Sequence, residues 1–364
     1  MPIACGELRV LHLSKSVFLG NCSWLGSRAQ YMEIPEADVP ENLLQQLSPE
    51  LLSTLLVDHT TSTLEERRNI FWATSDYEQR GEGYQYFDQI TADRITGENG
   101  RVIMPRVLKS KDTQQERVQS MAEVFTPSWI CNAQNNLVDK EWFGRDEVFN
   151  KEYTDENGEH RWVSLPERIT FPEGKTWKDY VNDLRLEITC GEAPYIVSRY
   201  DTTTGQPIPL SERIGLLDRK MRVVSENTTT TGEWLKSAQK AYMSTYAYEW
   251  QGDNLLLARE AMLVSFIEYY QAKFGKAPLL RSMQYIAYII SWNVWQMDGL
   301  KGVVPGSCGV RLSSPDLWGN TQEIPCNGCK TGDVFAHNGT YCVVRDWNKK
   351  KADGKIRFID LLTQ

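Results

Sequence analysis

The spacing of apolar residues predicts three helices. Apolar side chains recur at helical intervals over residues 43–56. A longer helix is predicted over 255–274, because Asp253 is a suitable N-cap and Gly275 follows its last apolar residue. A third helix is predicted over 279–290.

Shorter runs rich in aromatic and β-branched residues predict strands. These runs cover residues 69–74, 242–250, 340–344 and 355–361. The last two flank a basic loop, which is typical of a hairpin. Another short apolar run ends at Glu187 and is followed by the turn residue Gly191.

Composition shifts divide the chain into three regions. Residues 1–120 have mixed helix and strand patterns and are interpreted as an α+β region. Residues 121–345 are interpreted as the main α/β domain, with polar insertions at 142–183 and 201–232 that are rich in Gly, Pro and Thr. Residues 346–364 supply the second strand of the C-terminal hairpin.

Charge and cysteine content limit the classes of protein to which this chain could belong. The 364-residue chain has a net charge of -8, which is unfavourable for holding a polyanion without help. It has no long uncharged apolar stretch and no secretory signal pattern, so a cytoplasmic protein without membrane contact is expected. The eight cysteines are dispersed, which favours reduced thiols over a disulfide framework.

The segment 186–195 (Leu-Glu-Ile-Thr-Cys-Gly-Glu-Ala-Pro-Tyr) carries the strongest functional signal. An apolar run that ends in an acid and a Gly turn is how a strand of a doubly wound sheet presents its carboxyl end to a small ligand. Gly191 would allow close approach of the backbone, and Glu187 would place a charge at the strand tip.

Together with an upstream Phe-Thr-Pro segment, this pattern resembles the S-adenosylmethionine site of adenine-N6 DNA methyltransferases from restriction-modification systems. That family has a Phe-Thr-Pro segment followed by an Asp-Pro-Ala-Cys-Gly-Ser-Gly-x-Phe segment. The residues that occupy matching positions are Phe125, Thr126, Pro127, Glu187, Cys190, Gly191 and Tyr195. Four positions depart from the family pattern, namely Ile188, Thr189, Glu192 and Ala193. The resemblance implies a Rossmann-like sheet and a cofactor site that includes Thr189.

Two later acids match further cofactor segments of that family. Glu249 lies at the end of the predicted strand 242–250, where an acid would accept hydrogen bonds from ribose hydroxyls. Asp298, after an apolar stretch, is implied to accept from the cofactor's adenine amino group. The alternatives are that Glu249 is a solvated strand edge and that Asp298 caps the turn before Gly299.

The catalytic motif of the family is Asn or Asp followed by Pro-Pro and an aromatic residue, and no Pro-Pro occurs in this chain. Asn338 and Tyr341 are the nearest candidates, with Gly-Thr between them. The resemblance implies that Asn338 accepts from the target amine and that Tyr341 stacks on the flipped base. The alternative is that Asn338-Gly339 is only a turn before a strand.

The same part of the chain could bind a metal. Cys326 and Cys329 have the Cys-x-x-Cys spacing of a structural zinc site, with His337, Cys342 and Cys308 nearby in sequence. Zinc is therefore a possible structural cofactor.

The favoured function is an S-adenosylmethionine-dependent DNA adenine-N6 methyltransferase, the modification subunit of a restriction-modification system. The runs 69–74 and 129–132 also resemble proteins described as restriction endonuclease subunit M. Little chain follows Tyr341, so sequence-specific reading of DNA is expected from a partner or from the N-terminal region. The expected partners are DNA and a separate specificity or restriction subunit. The rival is a non-catalytic, cofactor-binding or scaffolding relic of a methyltransferase in a restriction or anti-restriction complex.

Overall fold

The computed structural model describes residues 41–109, 111, 117, 126–314, 321–349 and 354–363. Phe125 lies outside these residues, and so does the predicted boundary between residues 120 and 121. Within the described part, the protein is a mixed α/β structure with ten α-helices. They are α1 (Glu41–Leu47), α2 (Pro49–Leu56), α3 (Ala92–Ile95), α4 (Ser128–Phe143), α5 (Trp177–Asn182), α6 (Leu216–Asn227), α7 (Thr231–Met243), α8 (Gly252–Phe274), α9 (Leu280–Asn293) and α10 (Asn327–Thr331).

A three-stranded parallel sheet lies at the centre. Its strands are β3 (Arg185–Glu187), β4 (Thr245–Glu249) and β5 (Val294–Gln296), and they lie side by side in that order. Helices α6 and α7 connect β3 to β4, and α8 and α9 connect β4 to β5, because parallel neighbours need long crossovers. Their carboxyl ends therefore share one edge of the sheet.

Three small antiparallel pairs surround this sheet. The pairs are β1 (Asn150–Thr154) with β2 (His160–Ser164), β6 (Arg311–Leu312) with β7 (Glu323–Ile324), and β8 (Val343–Arg345) with β9 (Lys355–Arg357). The pairing of β8 with β9 confirms the predicted C-terminal hairpin. After β9 the chain turns into a 3-10 helix (Phe358–Thr363) instead of continuing as a strand.

Helix α8 is the centre of the hydrophobic core. It is buried along almost its whole length, in agreement with the helix predicted there, but it begins at Gly252, so Asp253 lies inside the helix and is not its N-cap as predicted. Arg259 on this helix is fully buried, and its guanidinium donates to the carbonyls of Val294 and Ser291 on one side and of Val57 on the other. Because apolar residues of 41–109 pack into the same core, the N-terminal region is not separated from the main sheet.

Several sequence predictions differ from the structure, and the predicted strand 242–250 is shorter, since it begins only at Thr245 after the end of α7. The helix predicted over 43–56 is two helices, because Pro49 starts a new helix and the Ser48 side chain caps it by accepting from the Glu50 amide, 3.3 Å away. The strand predicted over 69–74 is replaced by isolated bridges at Asn69 and Phe71, and the backbone of Ala73 is left-handed (φ 51°). The insertion 201–232 contains the whole of α6.

The insertion 142–183 also has secondary structure of its own, namely the β1–β2 hairpin and α5. The side chain of Thr176 caps α5 by accepting from the Asp179 amide at 3.4 Å, and the Asp179 carboxylate accepts from the Thr176 amide at 2.7 Å. No helix among the described residues is long and apolar enough to cross a bilayer.

Candidate functional site

A cleft of about 810 Å³ opens where β3 and β4 end. We call it the sheet-edge cleft. Its walls are the loop that follows β3, one face of α4, and the start of α8. The lining residues are Thr126, Gln134, Asn135, Val138, Leu186, Glu187, Ile188, Thr189, Cys190, Gly191, Glu192, Pro194, Tyr195, Leu216, Glu249, Trp250, Gln251 and Asn254.

Glu187, the last residue of β3, is buried in this cleft with 9% of its surface exposed. Burial raises the pKa of its carboxyl well above the usual value; the backbone of Tyr195 lowers it in part, and the charge of Glu249 raises it further. Its Oε2 atom is buried and has no hydrogen-bond partner among the described residues. The structure therefore presents an unpaired acceptor at the strand tip.

Glu249, the last residue of β4, holds the loop that follows β3. Its Oε2 accepts from the Gly191 amide at 2.8 Å, and its Oε1 accepts from the Gln251 amide at 3.2 Å. Burial raises the pKa of this carboxyl, and the hydrogen bond from Gly191 acts in the opposite direction. Glu249 thus lies in the cleft as predicted, but it is also bound to the turn that it faces.

The loop after β3 has an unusual backbone. Thr189, Gly191 and Ala193 all have left-handed φ angles, of 48°, 53° and 59°. Such angles are strained for Thr189 and Ala193, and strain of this kind concentrates at functional sites. The backbone of Ala193 thus has a conformation that Gly would favour. A side chain added at Gly191 would meet no atom within 4 Å.

The charge of the sheet-edge cleft is acidic. Three of its lining residues are Glu187, Glu192 and Glu249, and none of the described lining residues is Lys or Arg. The Glu192 carboxylate accepts from the Arg106 amide at 2.6 Å and from the Tyr200 hydroxyl. A site of this kind favours a cationic or neutral ligand, because phosphate groups require positive charge or free backbone amides.

The other predicted cofactor residues are distributed as follows. Thr126 and Cys190 both line the cleft, and the Thr126 carbonyl accepts from the Thr202 hydroxyl at 3.1 Å. Pro127 directly precedes α4, and its carbonyl accepts from the Ile130 amide at 2.9 Å. Asp298 is not a lining residue of the cleft.

Asp298 instead closes the turn that follows β5. Its Oδ1 accepts from the Leu300 amide at 3.0 Å, and its carboxylate pairs with Lys301 at 3.2 Å. These contacts match the alternative of a turn-capping aspartate.

Four side chains gather in the loops after β5. Their ligand atoms, the Sγ atoms of Cys308, Cys326 and Cys329 and a ring nitrogen of His337, lie within 4.8 Å of one another. We call them the cysteine–histidine cluster. The structure thus brings Cys326 and Cys329 together with two further metal-binding side chains, whereas Cys342 is buried against the Gln296 carbonyl.

Asn338 and Tyr341 belong to the loop around this cluster. The Asn338 side chain bonds both backbone groups of Gly309, accepting from N at 3.2 Å and donating to O at 2.8 Å. The Tyr341 hydroxyl accepts from the His337 amide at 2.9 Å and donates to the Val334 carbonyl at 2.8 Å. Neither residue lines the sheet-edge cleft. Their position gives no support to the predicted catalytic role.

Comparison with protein-family models, curated proteins and solved structures found no match. The likeness to adenine-N6 methyltransferases therefore rests on the sequence motifs quoted above.

Sequence reasoning missed two amides of the cleft. Asn135 on α4 donates from Nδ2 to the carbonyls of Tyr195 and Ile214, both at 3.0 Å, and so fixes the loop after β3. Asn254 on α8 lines the cleft with a buried Oδ1 that has no partner among the described residues. The one signal in the sequence that could have indicated Asn254 was its position shortly after β4, the strand that ends in Glu249.

Proposed function

We propose that this protein binds S-adenosylmethionine in the sheet-edge cleft and is a methyltransferase with DNA adenine as its acceptor. One observation carries the proposal: Glu187 and Glu249 end two neighbouring parallel strands, and the Gly191 loop lies between them. This is the arrangement that the motif order implies for an adenosyl cofactor site, where ligands bind at the carboxyl ends of the strands.

The order of the strands is also consistent with a Rossmann-like fold. Strands β3, β4 and β5 follow one another across the sheet with helical crossovers, as in one half of a doubly wound sheet. The second half of such a sheet is absent from the described residues. The finer fold assignment is therefore part of the proposal.

The chemistry of the cleft suits this cofactor better than a dinucleotide. S-adenosylmethionine carries a sulfonium, an ammonium and a carboxylate and is therefore net positive; its ammonium and its ribose hydroxyls are hydrogen-bond donors, and it has no phosphate. The unpaired acceptors Glu187 Oε2 and Asn254 Oδ1 need donors of this kind. The Gly191 amide, which could bind a phosphate in a dinucleotide site, already donates to Glu249.

The protein's own contribution would be binding and orientation. When bound, the cofactor supplies an electrophilic methyl group. Glu187 and Asn254 would accept hydrogen bonds from it, and Glu249 would fix the loop that forms the floor of the site. Methyl transfer by alignment needs no covalent enzyme intermediate, so positioning of the two reactants is the main requirement.

A second candidate is a cofactor-binding or scaffolding protein without catalysis. The positions of Asn338 and Tyr341 favour it, because both side chains are engaged in the loop around the cysteine–histidine cluster. In either case DNA, a separate specificity or restriction subunit, and a cytoplasmic location belong to the proposal.

Two measurements on the purified full chain separate these candidates. Calorimetry tests binding of S-adenosylmethionine and its demethylated product, and transfer of labelled methyl to DNA tests catalysis. Binding with transfer supports the methyltransferase, whereas binding without transfer, also in the presence of a specificity subunit, supports the second candidate. If folded protein binds neither ligand, the methyltransferase and the cofactor-binding protein are both excluded, and only a scaffolding protein without a cofactor is left.

Binding should depend on pH through Glu187. Since burial raises the pKa of this carboxyl, it is protonated to a higher pH than usual and must lose its proton to attract a cation. We expect affinity for S-adenosylmethionine to rise as the pH rises through the raised pKa of Glu187, with proton release on binding. Calorimetry in two buffers of different ionisation enthalpy measures both effects. Adenosine, which lacks both cationic groups, is the control and should show little pH dependence; a flat profile for both ligands would contradict the role of Glu187.

Substitution Gly191→Val should block the cleft. A Cβ added at this position has no other protein atom within 4 Å, and Gly191 lines the cleft, so the valine side chain would extend into space that is open to a ligand. We expect binding to be lost, with a stability cost of about 1–2 kcal/mol from the left-handed φ. Gly275→Val is the matched control, because Gly275 has a similar φ of 66° and open space at the end of α8. If the two variants bind S-adenosylmethionine equally well, Gly191 is not part of the binding site.

A further inference from the structure

The cysteine–histidine cluster has the composition and geometry of a metal centre. We infer that Cys308, Cys326, Cys329 and His337 bind one Zn²⁺ ion as a closed structural site. The inference is independent of the sheet-edge cleft and of the function proposed for it.

The S–N distances of the cluster match the edges of a tetrahedron around zinc, and the two S–S distances from Cys308 are somewhat below the ideal edge. Cys308 Sγ lies 3.2 Å from Cys326 Sγ and 3.5 Å from Cys329 Sγ. His337 Nδ1 lies 3.4, 3.5 and 3.7 Å from the sulfurs of Cys308, Cys326 and Cys329. Zinc bonds of the usual lengths give a tetrahedron with S–S edges of about 3.8 Å and S–N edges of about 3.6 Å.

Glycines make room for this arrangement. Gly328 lies between the two cysteines of the Cys-x-x-Cys segment, and a Cβ there would lie 2.6 Å from His337 Nδ1. A Cβ at Gly339 would lie 2.9 Å from the Cβ of Cys308. Both glycines are therefore required by close approach to ligand residues.

Outer contacts orient the ligands. The Asn338 amide donates to Cys326 Sγ at 3.3 Å, and the Asn338 side chain holds Gly309, the residue after Cys308. The Tyr341 hydroxyl accepts from the His337 amide. Such second-layer contacts fix ligand geometry at metal sites. They also give Asn338 and Tyr341 a role that does not involve methyl transfer.

Four protein ligands leave no open coordination position, which is the mark of a structural and not a catalytic zinc site. The soft thiolates and the imidazole favour zinc over Mg²⁺ or Ca²⁺. The cluster connects loops that are held near the end of β5 by backbone hydrogen bonds. The Val304 amide donates to the Thr340 carbonyl, and the Cys342 amide donates to the Gly302 carbonyl. Binding would release the thiol protons to solvent and involves no change of oxidation state.

Metal analysis of the full chain, purified under reducing conditions without chelator, tests the inference. We expect one zinc per chain by elemental mass spectrometry, and release of that zinc when the thiols are modified. Cobalt(II) exchanged into the protein should show the absorption bands of tetrahedral thiolate coordination. Protein that is folded and free of zinc, that holds iron instead, or that has a Cys308–Cys326 disulfide under these conditions would overturn it.

Matched variants locate the site. Gly328→Ala should lose zinc because the new Cβ displaces His337, whereas Gly309→Ala should retain it, since a Cβ at Gly309 meets nothing within 4 Å. Asn338→Ala should weaken zinc affinity about 10–100-fold. Cys342→Ala removes a cysteine outside the cluster and should keep the metal. Equal zinc content in the Gly328 and Gly309 variants would exclude this site. Competition with a chelator on the parent protein gives the zinc affinity to which the Asn338 variant is compared.

Discussion

Substitution Glu187→Gln is expected to weaken binding of S-adenosylmethionine and to stabilise the free protein. A hydrogen bond to a charged acceptor contributes about 1.5–3 kcal/mol, so affinity should fall about 10–100-fold. The free energy of unfolding should rise by about 1 kcal/mol at neutral pH, because a neutral amide replaces a buried acid with an unpaired oxygen. Calorimetry and urea denaturation measure the two effects.

The pH dependence of the stability gain provides a further check. The raised pKa of Glu187 means that its burial costs nothing below the ordinary pKa of an acid and becomes costly above it. The gain in the Gln variant should therefore be present at neutral pH and disappear in acid. Glu65→Gln makes the same change at an exposed position and should alter neither property. If the Glu187 variant binds S-adenosylmethionine as tightly as the parent does, Glu187 is not part of the cofactor site.

Substitution Gly252→Ala should destabilise the protein strongly. Gly252 is the first residue of α8, and a Cβ there would lie 2.1 Å from the Phe71 carbonyl oxygen, which is backbone and cannot rotate away. Either α8 or the segment around Phe71 must shift, so we expect a loss of about 3 kcal/mol. Urea denaturation of both proteins measures the difference.

Gly232→Ala is the matched control for that experiment. Gly232 lies in the first turn of α7, and a Cβ there meets nothing within 4 Å. Since Ala is a better helix former than Gly, this variant should be equal to the parent or more stable by about 0.5 kcal/mol. Similar destabilisation in the two variants would mean that α8 does not pack against the Phe71 segment as described.

The sequence indicated the elements of the core that have continuous apolar patterns. Helices α8 and α9 and strand β4 were predicted because apolar residues dominate these segments, although α8 also buries Asp253, Arg259 and Glu260; Gly275 marks the end of α8. Helix α6 was missed, since its buried face includes Arg219 and Lys220. Arg219 pairs with the buried Asp139 of α4, and Lys220 donates to the Ser244 hydroxyl at 2.7 Å. Partners so far apart in sequence cannot be identified from local polarity.

The candidate sites likewise contain some residues that the local sequence could place and others that it could not. Glu187, Gly191 and Glu249 could be placed together because parallel strands bring their carboxyl ends to one edge. Asn338 and Tyr341 could not be placed, because without the two prolines the motif has no local constraint. The participation of Cys308 in the cluster also depends on tertiary structure, since it is separated from Cys326 by a loop and the β6–β7 pair.

The buried Arg259 has a consequence for how the chain can be divided. Its guanidinium is the common hydrogen-bond donor for backbone carbonyls that precede and follow the predicted boundary near residue 120. A fragment beginning at residue 121 would lose the Val57 carbonyl and the α2 packing, and so leave an arginine in the interior with only part of its partners. Residues 41–109 therefore share one hydrophobic core with the main sheet, and we expect a fragment without them to lose part of the scaffold that holds the cleft.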